Sequence, residues 1–320
     1  MKNDTIIKAL TEKNIPFKTD FPLAPKTTFK VGSTADLFIT PQDIQQLATS
    51  LELLQQEDSD FFILGGGSNI VFPDQSFHKP VISTEFLNSI FMADSKAAAG
   101  ESVKVVCQSG TSMAAFVNFC TKNNLTGAEV FAGLPGTVGG ALFMNARCFN
   151  KSVSDLQPET EYIEVKDKEL NDITHQFSQS EWDYKKSPLQ NQTIAKKIIL
   201  SGTFLLTKCD ESEHERIEAD CKKYIAERVD KGHFKYPSAG SVFKNNHDFG
   251  KPSGKIIDEA GLKGFSIGGA QIAPFHGNFI INVNNAKARD ISDLVKHVQI
   301  CVKEKFNFDL EPEIIFLNND

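Results

Sequence analysis

Phe61-Phe-Ile-Leu64-Gly65-Gly66-Gly67-Ser68-Asn69-Ile-Val-Phe72 is the stretch on which the reading of the chain turns. Its apolar opening has the length and composition of a short strand, and it runs directly into three residues without a Cβ. Gly65, Gly66 and Gly67 allow backbone N–H groups to approach a phosphate closely, with Ser68 and Asn69 closing the loop. Strand, glycine loop and Asn69 to Phe72 read as one unit. Glycine loops after strands are also ordinary turns. No Gly-Lys-Ser/Thr follows, so this is not a P-loop, and no helix clearly opens at the third glycine, as the common dinucleotide fingerprint requires.

A second loop of the same kind, Gly133-Leu-Pro135-Gly136-Thr137-Val-Gly139-Gly140, is followed by Ala-Leu-Phe-Met-Asn145. Two phosphate-cradling loops suit an extended diphosphate better than a single phosphate, so together they predict a dinucleotide. Further on, Tyr236-Pro-Ser-Ala-Gly-Ser241-Val-Phe-Lys244-Asn245 places a hydroxyl after a flexible Ala-Gly step, with a cation and an amide beyond it. A serine so flanked can be held beside a bound anion. The chain closes with a predicted strand, Leu310 to Leu317, that carries Glu311 and Glu313.

Composition narrows the frame. The 320 residues suit two or three compact units, and 40% hydrophobic with 23% charged residues is the balance of a soluble globular protein. No run approaches the ~20 apolar residues of a membrane span, and the N-terminal Met1 to Leu10 reads as an amphipathic helix rather than a signal peptide, so a cytoplasmic location is expected. A net charge of −7 speaks against a general nucleic-acid binder, while leaving room for a local anion pocket. Six cysteines without a Cys-x-x-Cys pair, and seven histidines without ligand spacing, predict buried thiols and no metal site. Only four basic residues, at 147, 216, 228 and 289, are arginines among 34.

Periodicity places the elements. Thr40-Pro-Gln-Asp43 predicts a helix start with Thr40 as cap, followed by Ile44, Leu47, Leu51 and Leu54 at helical spacing. Several strands are expected over 80–107, a helix from Met113 to Asn123, and strands at Lys197–Leu200 and Gly202–Leu206. Glu211 to Val229 reads as a solvated helix with Ile217, Cys221, Tyr224 and Arg228 inward, and the composition shift there suggests a domain boundary near 208. A last helix is expected from Asp290, as N-cap, to about Phe306.

These motifs, joined by Gly254-Lys-Ile-Ile-Asp-Glu-Ala-Gly-Leu-Lys-Gly264 and Leu310-Glu-Pro-Glu313, resemble the UDP-N-acetylenolpyruvoylglucosamine reductase family over nearly the whole chain. The resemblance implies an α+β fold: a two-part FAD-binding domain of vanillyl-alcohol-oxidase type, over 1–56 and 57–207, with strand 309–320 returning to it. A separate α+β substrate-binding domain would occupy 208–308. It further implies non-covalent FAD, NADPH as electron donor, a UDP-sugar substrate, and reduction of its enolpyruvyl ether to the lactyl ether of UDP-N-acetylmuramate in peptidoglycan synthesis. A monomer that binds neither nucleic acid nor membrane is expected.

On the same resemblance Ser241 is the proton donor, its high intrinsic pKa tolerable because the acceptor is a carbanion-like enolate. Glu313 is the carboxyl group that acts with a cation on the enol intermediate; protonated or hydrogen-bonded, it can donate to the developing oxyanion. The glycine loops and Asn145 would hold FAD, and Tyr184, Lys231, Lys244, Asn245 and Gln271 the substrate. Two positions depart from the family pattern. Tyr184-Lys185-Lys186-Ser187 has Lys185 where the family has arginine, which keeps the charge and loses the planar fork. Asn145-Ala-Arg147-Cys-Phe149 has Arg147 in place of a glycine, which either strains the loop or supplies the missing guanidinium. Another FAD oxidoreductase of the same fold, or a flavin or nucleotide-sugar binding protein without turnover, are the alternatives.

Overall fold

A computed structural model describes residues 2–94, 96–191 and 195–319; Met1 of the expected N-terminal helix and Asp320 of the expected closing strand lie outside them. The chain divides into two compact units. The first comprises 1–18, 37–66 and 80–226, the second 19–36, 67–79 and 227–320. Neither the expected boundary near 208 nor the single unit expected for 61–72 matches this division. It falls inside the helix His214–Asp230 and within the glycine loop, because 67–79 pairs with the end of the chain.

In the first unit, helix Ile44–Gln56 starts three residues later than Thr40 would have it. Asp43 is the cap, its carboxylate accepting from the Gln46 N–H at 2.7 Å, a contact worth about 1 kcal/mol. Leu47, Leu51 and Leu54 are buried as their spacing requires and share a core with Ile6 and Leu10 of helix Lys2–Glu12. Beside it, Phe62–Leu64 runs parallel to Val81–Ser83, which in turn pairs with Phe38 and Ile39.

A second, antiparallel sheet follows the order Glu169–His175, Glu159–Lys166, Lys196–Lys208, Ser102–Gln108, Ile90–Met92. The two strands expected at 197–206 are one, because Gly202 continues the ladder and its missing Cβ makes room for Leu142. Phe116 of helix Met113–Lys122, Phe131, Leu142 and Phe204 fill the core behind it. Of the cysteines, Cys107, Cys120 and Cys209 are buried and the other three half-buried, so the thiols are less deeply enclosed than expected. Burial pushes the Cys107 and Cys120 thiols up, which keeps them protonated.

The second unit is built on an antiparallel sheet ordered Ser238–Ser241, Phe279–Asn282, Ala270–Ile272, Ser266–Ile267. Helix Ala288–Phe306 covers it through Ile291, Leu294, Val295, Val298 and Val302. Asp290 is not its cap. The helix begins at Ala288, Asp290 accepts from the Lys287 N–H, and the Asp74 carboxylate takes the Ala288 and Arg289 N–H groups at 2.7 and 3.1 Å. Of the expected closing strand only Ile315–Phe316 is regular, parallel to Ile70–Val71. Among the described residues no helix is long and apolar enough to cross a membrane.

Candidate functional site

The candidate residues are distributed over both units, and each set has its own geometry. In the first unit the two glycine loops meet backbone to backbone. A Cβ on Gly65 would stand 2.6 Å from Thr137 Oγ1, and one on Gly66 2.6 Å from Gly136 Cα, so no side chain fits at either position. Thr137 caps helix Val138–Phe143 through a 3.5 Å bond to the Gly140 N–H. The Val138 and Gly139 N–H groups are already donated to Thr111 and Ser109 carbonyls, both at 2.8 Å, so Gly139 acts by close packing on Ser109 rather than as a donor.

In the first unit the N–H groups of Gly65, Gly66, Gly133, Gly136 and Thr137, and in the second unit those of Gly67 and Ser68, have no acceptor among the described residues. Backbone donors without side chains to shield them fit the diphosphate of a dinucleotide. Asn145 plays another part. Fully buried, its amide donates to the Asp183 carbonyl at 2.9 Å and its carbonyl accepts from Ser154 N–H at 3.1 Å, which ties it to the protein rather than leaving it for a cofactor.

Asp183 opens a tight turn closed by reciprocal backbone bonds with Lys186, and Tyr184 and Lys185 form its tip. Lys185 takes a left-handed φ of 57°, its carbonyl accepts from Gln190, and Ser187 fastens the turn to the Phe143 carbonyl at 2.8 Å. Arg147 lies over the Tyr184 ring, 5.8 Å from its centroid. Its backbone is not strained. The left-handed residues of that hairpin are Phe149 and Asn150, where Arg147–Cys148 turns back onto Lys151–Ser152.

In the second unit Glu313 is held from two sides. Its N–H donates to the Val242 carbonyl at 2.7 Å, next in sequence to Ser241, and its carbonyl accepts from the Asn69 amide at 3.0 Å. Pro312, which has no N–H to give, occupies the bridge opposite Phe243 where none is needed. Glu311 pairs instead with Lys244 at 2.5 Å. Gly67, at φ +60°, presses on the Lys26 carbonyl so closely that a Cβ would overlap it.

The remaining expected substrate residues are engaged locally. Asn245 accepts from the Ser253 N–H at the start of helix Ser253–Glu259, and Gln271 donates to Gly264 and Ser266 within its own hairpin. Lys231 lies 3.7 Å from Glu227. Two histidines that the sequence did not single out, His233 and His276, flank Phe279, whose register partner is Ser241. Burial first, then Arg228, pushes His233 down to about 4, and burial followed by Lys231 and Lys263 lowers His276.

Comparison with known proteins decides the identity. Residues 232–317 match the profile of the UDP-N-acetylenolpyruvoylglucosamine reductase C-terminal domain, and 35–162 that of an FAD-binding domain. The UDP-N-acetylenolpyruvoylglucosamine reductase of Treponema denticola is 42% identical over 304 residues, covering 92% of this chain and 91% of that protein. That of Borreliella burgdorferi is 38% identical over 296 residues, covering 92% of each. The chain belongs to the UDP-N-acetylenolpyruvoylglucosamine reductase family.

The crystal structure of the Thermus caldophilus reductase superposes with a TM-score of 0.70 at 27% identity, covering 95% of this chain and 99% of that one. The chain is therefore an α+β FAD-dependent oxidoreductase, a UDP-N-acetylenolpyruvoylglucosamine reductase of peptidoglycan synthesis by family. Sequence reading did not find that Asn69 holds Glu313. The only signal was an amide at the end of a glycine loop, and nothing local pointed 244 residues ahead.

Proposed function

We propose that this reductase uses NADPH to reduce UDP-N-acetylglucosamine enolpyruvate to UDP-N-acetylmuramate, acting as a cytoplasmic monomer. The observation that carries the proposal is the double hold on Glu313, whose N–H and carbonyl are fixed by Val242, beside Ser241, and by Asn69 of the glycine loop. One run of main chain thus spaces a hydroxyl and a carboxyl group against the loop expected to cradle the cofactor.

The N–H groups of 65–68, 133, 136 and 137 would hold FAD, which when bound would supply hydride chemistry, with NADPH as donor and the terminal methylene carbon of the enolpyruvyl group as acceptor. The protein's own residues do the rest. Glu313 is assigned to the charge left on the adjacent carbon and its carboxylate, Ser241 to delivering a proton from Oγ to that carbon, and the Tyr184 turn to supplying a cation. Lys244, whose charge Glu311 balances, is assigned to the substrate's anionic part.

The deciding experiment is NADPH oxidation by the FAD-loaded protein, followed at 340 nm with and without UDP-N-acetylglucosamine enolpyruvate. Substrate-dependent oxidation with formation of UDP-N-acetylmuramate is expected. A yellow protein that binds the sugar nucleotide without turnover would refute the assignment in favour of a binding protein.

A further inference from the structure

The chain has few arginines, and three of the four are committed elsewhere. Arg216 is paired with Glu213 and Asp220, Arg289 with Asp293, and Arg228 is buried in the fold. Arg147 differs. It is exposed, no carboxylate among the described residues lies within ion-pair distance, and its guanidinium is steered by the Tyr184 ring. The one acid of the adjacent turn, Asp183, faces Lys186 at 4.0 Å.

The hairpin and the turn are fastened to each other close to these side chains. Asn145, two residues before Arg147, binds the Asp183 carbonyl, while Ser187 binds the Phe143 carbonyl. Phe149, two residues after it, packs against Tyr224 with ring centroids 4.9 Å apart and the planes tilted by 45°. Arg147 and Lys185 are thereby carried on one rigid local frame with Tyr184 as the common neighbour. A lysine offers a point charge, whereas a planar carboxylate is matched by the two parallel N–H donors of a guanidinium.

We infer that Arg147 is a second substrate-binding cation of this reductase. Tyr184 orients it so that its fork receives the enolpyruvyl carboxylate while Lys185 supplies charge alongside. The inference rests on the reading that the Tyr184 turn meets the substrate, and it adds a residue and a division of labour to that reading.

The test uses the FAD-loaded protein and two ligands, UDP-N-acetylglucosamine enolpyruvate and UDP-N-acetylglucosamine, which has the same diphosphate and lacks the carboxylate. Arg147→Ala is expected to weaken calorimetric binding of the first at least tenfold and to leave the second, and flavin reduction by NADPH, unchanged. Tyr184→Ala should copy this loss, and Tyr184→Phe, which keeps the ring, should lose clearly less of the enolpyruvate affinity than Tyr184→Ala. Adding Lys185→Arg to Arg147→Ala should restore most of the affinity. Equal weakening of both ligands, or of neither, overturns the inference while leaving wild-type turnover intact. Failure of the wild-type protein to bind the enolpyruvate at all would instead overturn the substrate assignment on which it rests.

Discussion

The Ser241–Glu313 assembly and the Tyr184 turn are held by different kinds of bond. Around Glu313 the positions are set mainly by main-chain groups: the Glu313 N–H donates to the Val242 carbonyl, the Lys244 N–H donates to the Glu311 carbonyl, and the Asn69 side-chain amide donates to the Glu313 carbonyl. Around Tyr184 side chains do much of the fixing, through Asn145, Ser187, Gln190 and the Arg147 guanidinium. Backbone-set positions change little when a neighbouring side chain changes, whereas positions set by side chains can exchange partners. The two positions that the sequence resemblance marks as departures from the family pattern, 147 and 185, both fall in the second region.

Four substitutions, and one titration with its own variant, test this contrast. Ser241→Ala should have the largest effect, slowing the substrate half-reaction by about 10²–10⁴-fold as expected for loss of a general acid, while stopped-flow reduction of the flavin by NADPH stays near wild type. Equal loss in both half-reactions would make Ser241 structural. Gly67→Ala places a Cβ against the Lys26 carbonyl at a left-handed φ, so loss of folded, flavin-bound protein is expected on thermal melting in the presence of FAD.

Asn145→Ala removes two bonds from a buried amide. About 2–3 kcal/mol of stability should disappear in urea unfolding, with KM raised more than kcat is lowered. Asn69→Ala frees one side of Glu313 and should lower kcat about tenfold with FAD affinity retained, on the scale of one hydrogen bond. A larger fall for Asn145 than for Asn69 in substrate affinity supports the contrast; the reverse order denies it.

The smallest effect is the titration. His233, depressed to about 4 from an unfolded value near 6.5, is neutral in the folded chain, so unfolding takes up a proton between those values. Stability is fully present above pH 6.5 and is lost as pH falls towards 4, by roughly 1–3 kcal/mol with His276 adding in the same direction. His233→Gln should flatten the melting temperature over that window. An unchanged slope would mean that other groups govern it.

Much of the architecture is legible in the sequence. Leu47, Leu51 and Leu54, and the row from Ile291 to Val302, obey helical spacing because a buried face leaves no other choice. The glycine loops are legible as loops, since Gly65, Gly66 and Gly67 meet backbone or side-chain atoms where a Cβ would go. Helix starts are less so. Thr40 and Asp290 had the right chemistry, yet Asp43 and Asp74 hold the helix-start N–H groups through contacts that spacing alone does not rank. Lys244 and Glu313 were recognisable as chemistry, whereas the Lys244–Glu311 pair and the Asn69 hold depend on segments distant in sequence.

The bond between Asn69 and Glu313 also orders events during synthesis. Its two ends are 244 residues apart, so at ordinary rates of translation the glycine loop leaves the ribosome roughly 12 to 50 seconds before its partner does. The neighbouring pairing of Ile70–Val71 with Ile315–Phe316 has the same long wait. Glu313 is thus fixed long after the glycine loop is made, and a nascent chain stalled before residue 310 carries Ser241, the proposed proton donor, without the carboxyl group proposed to act with it.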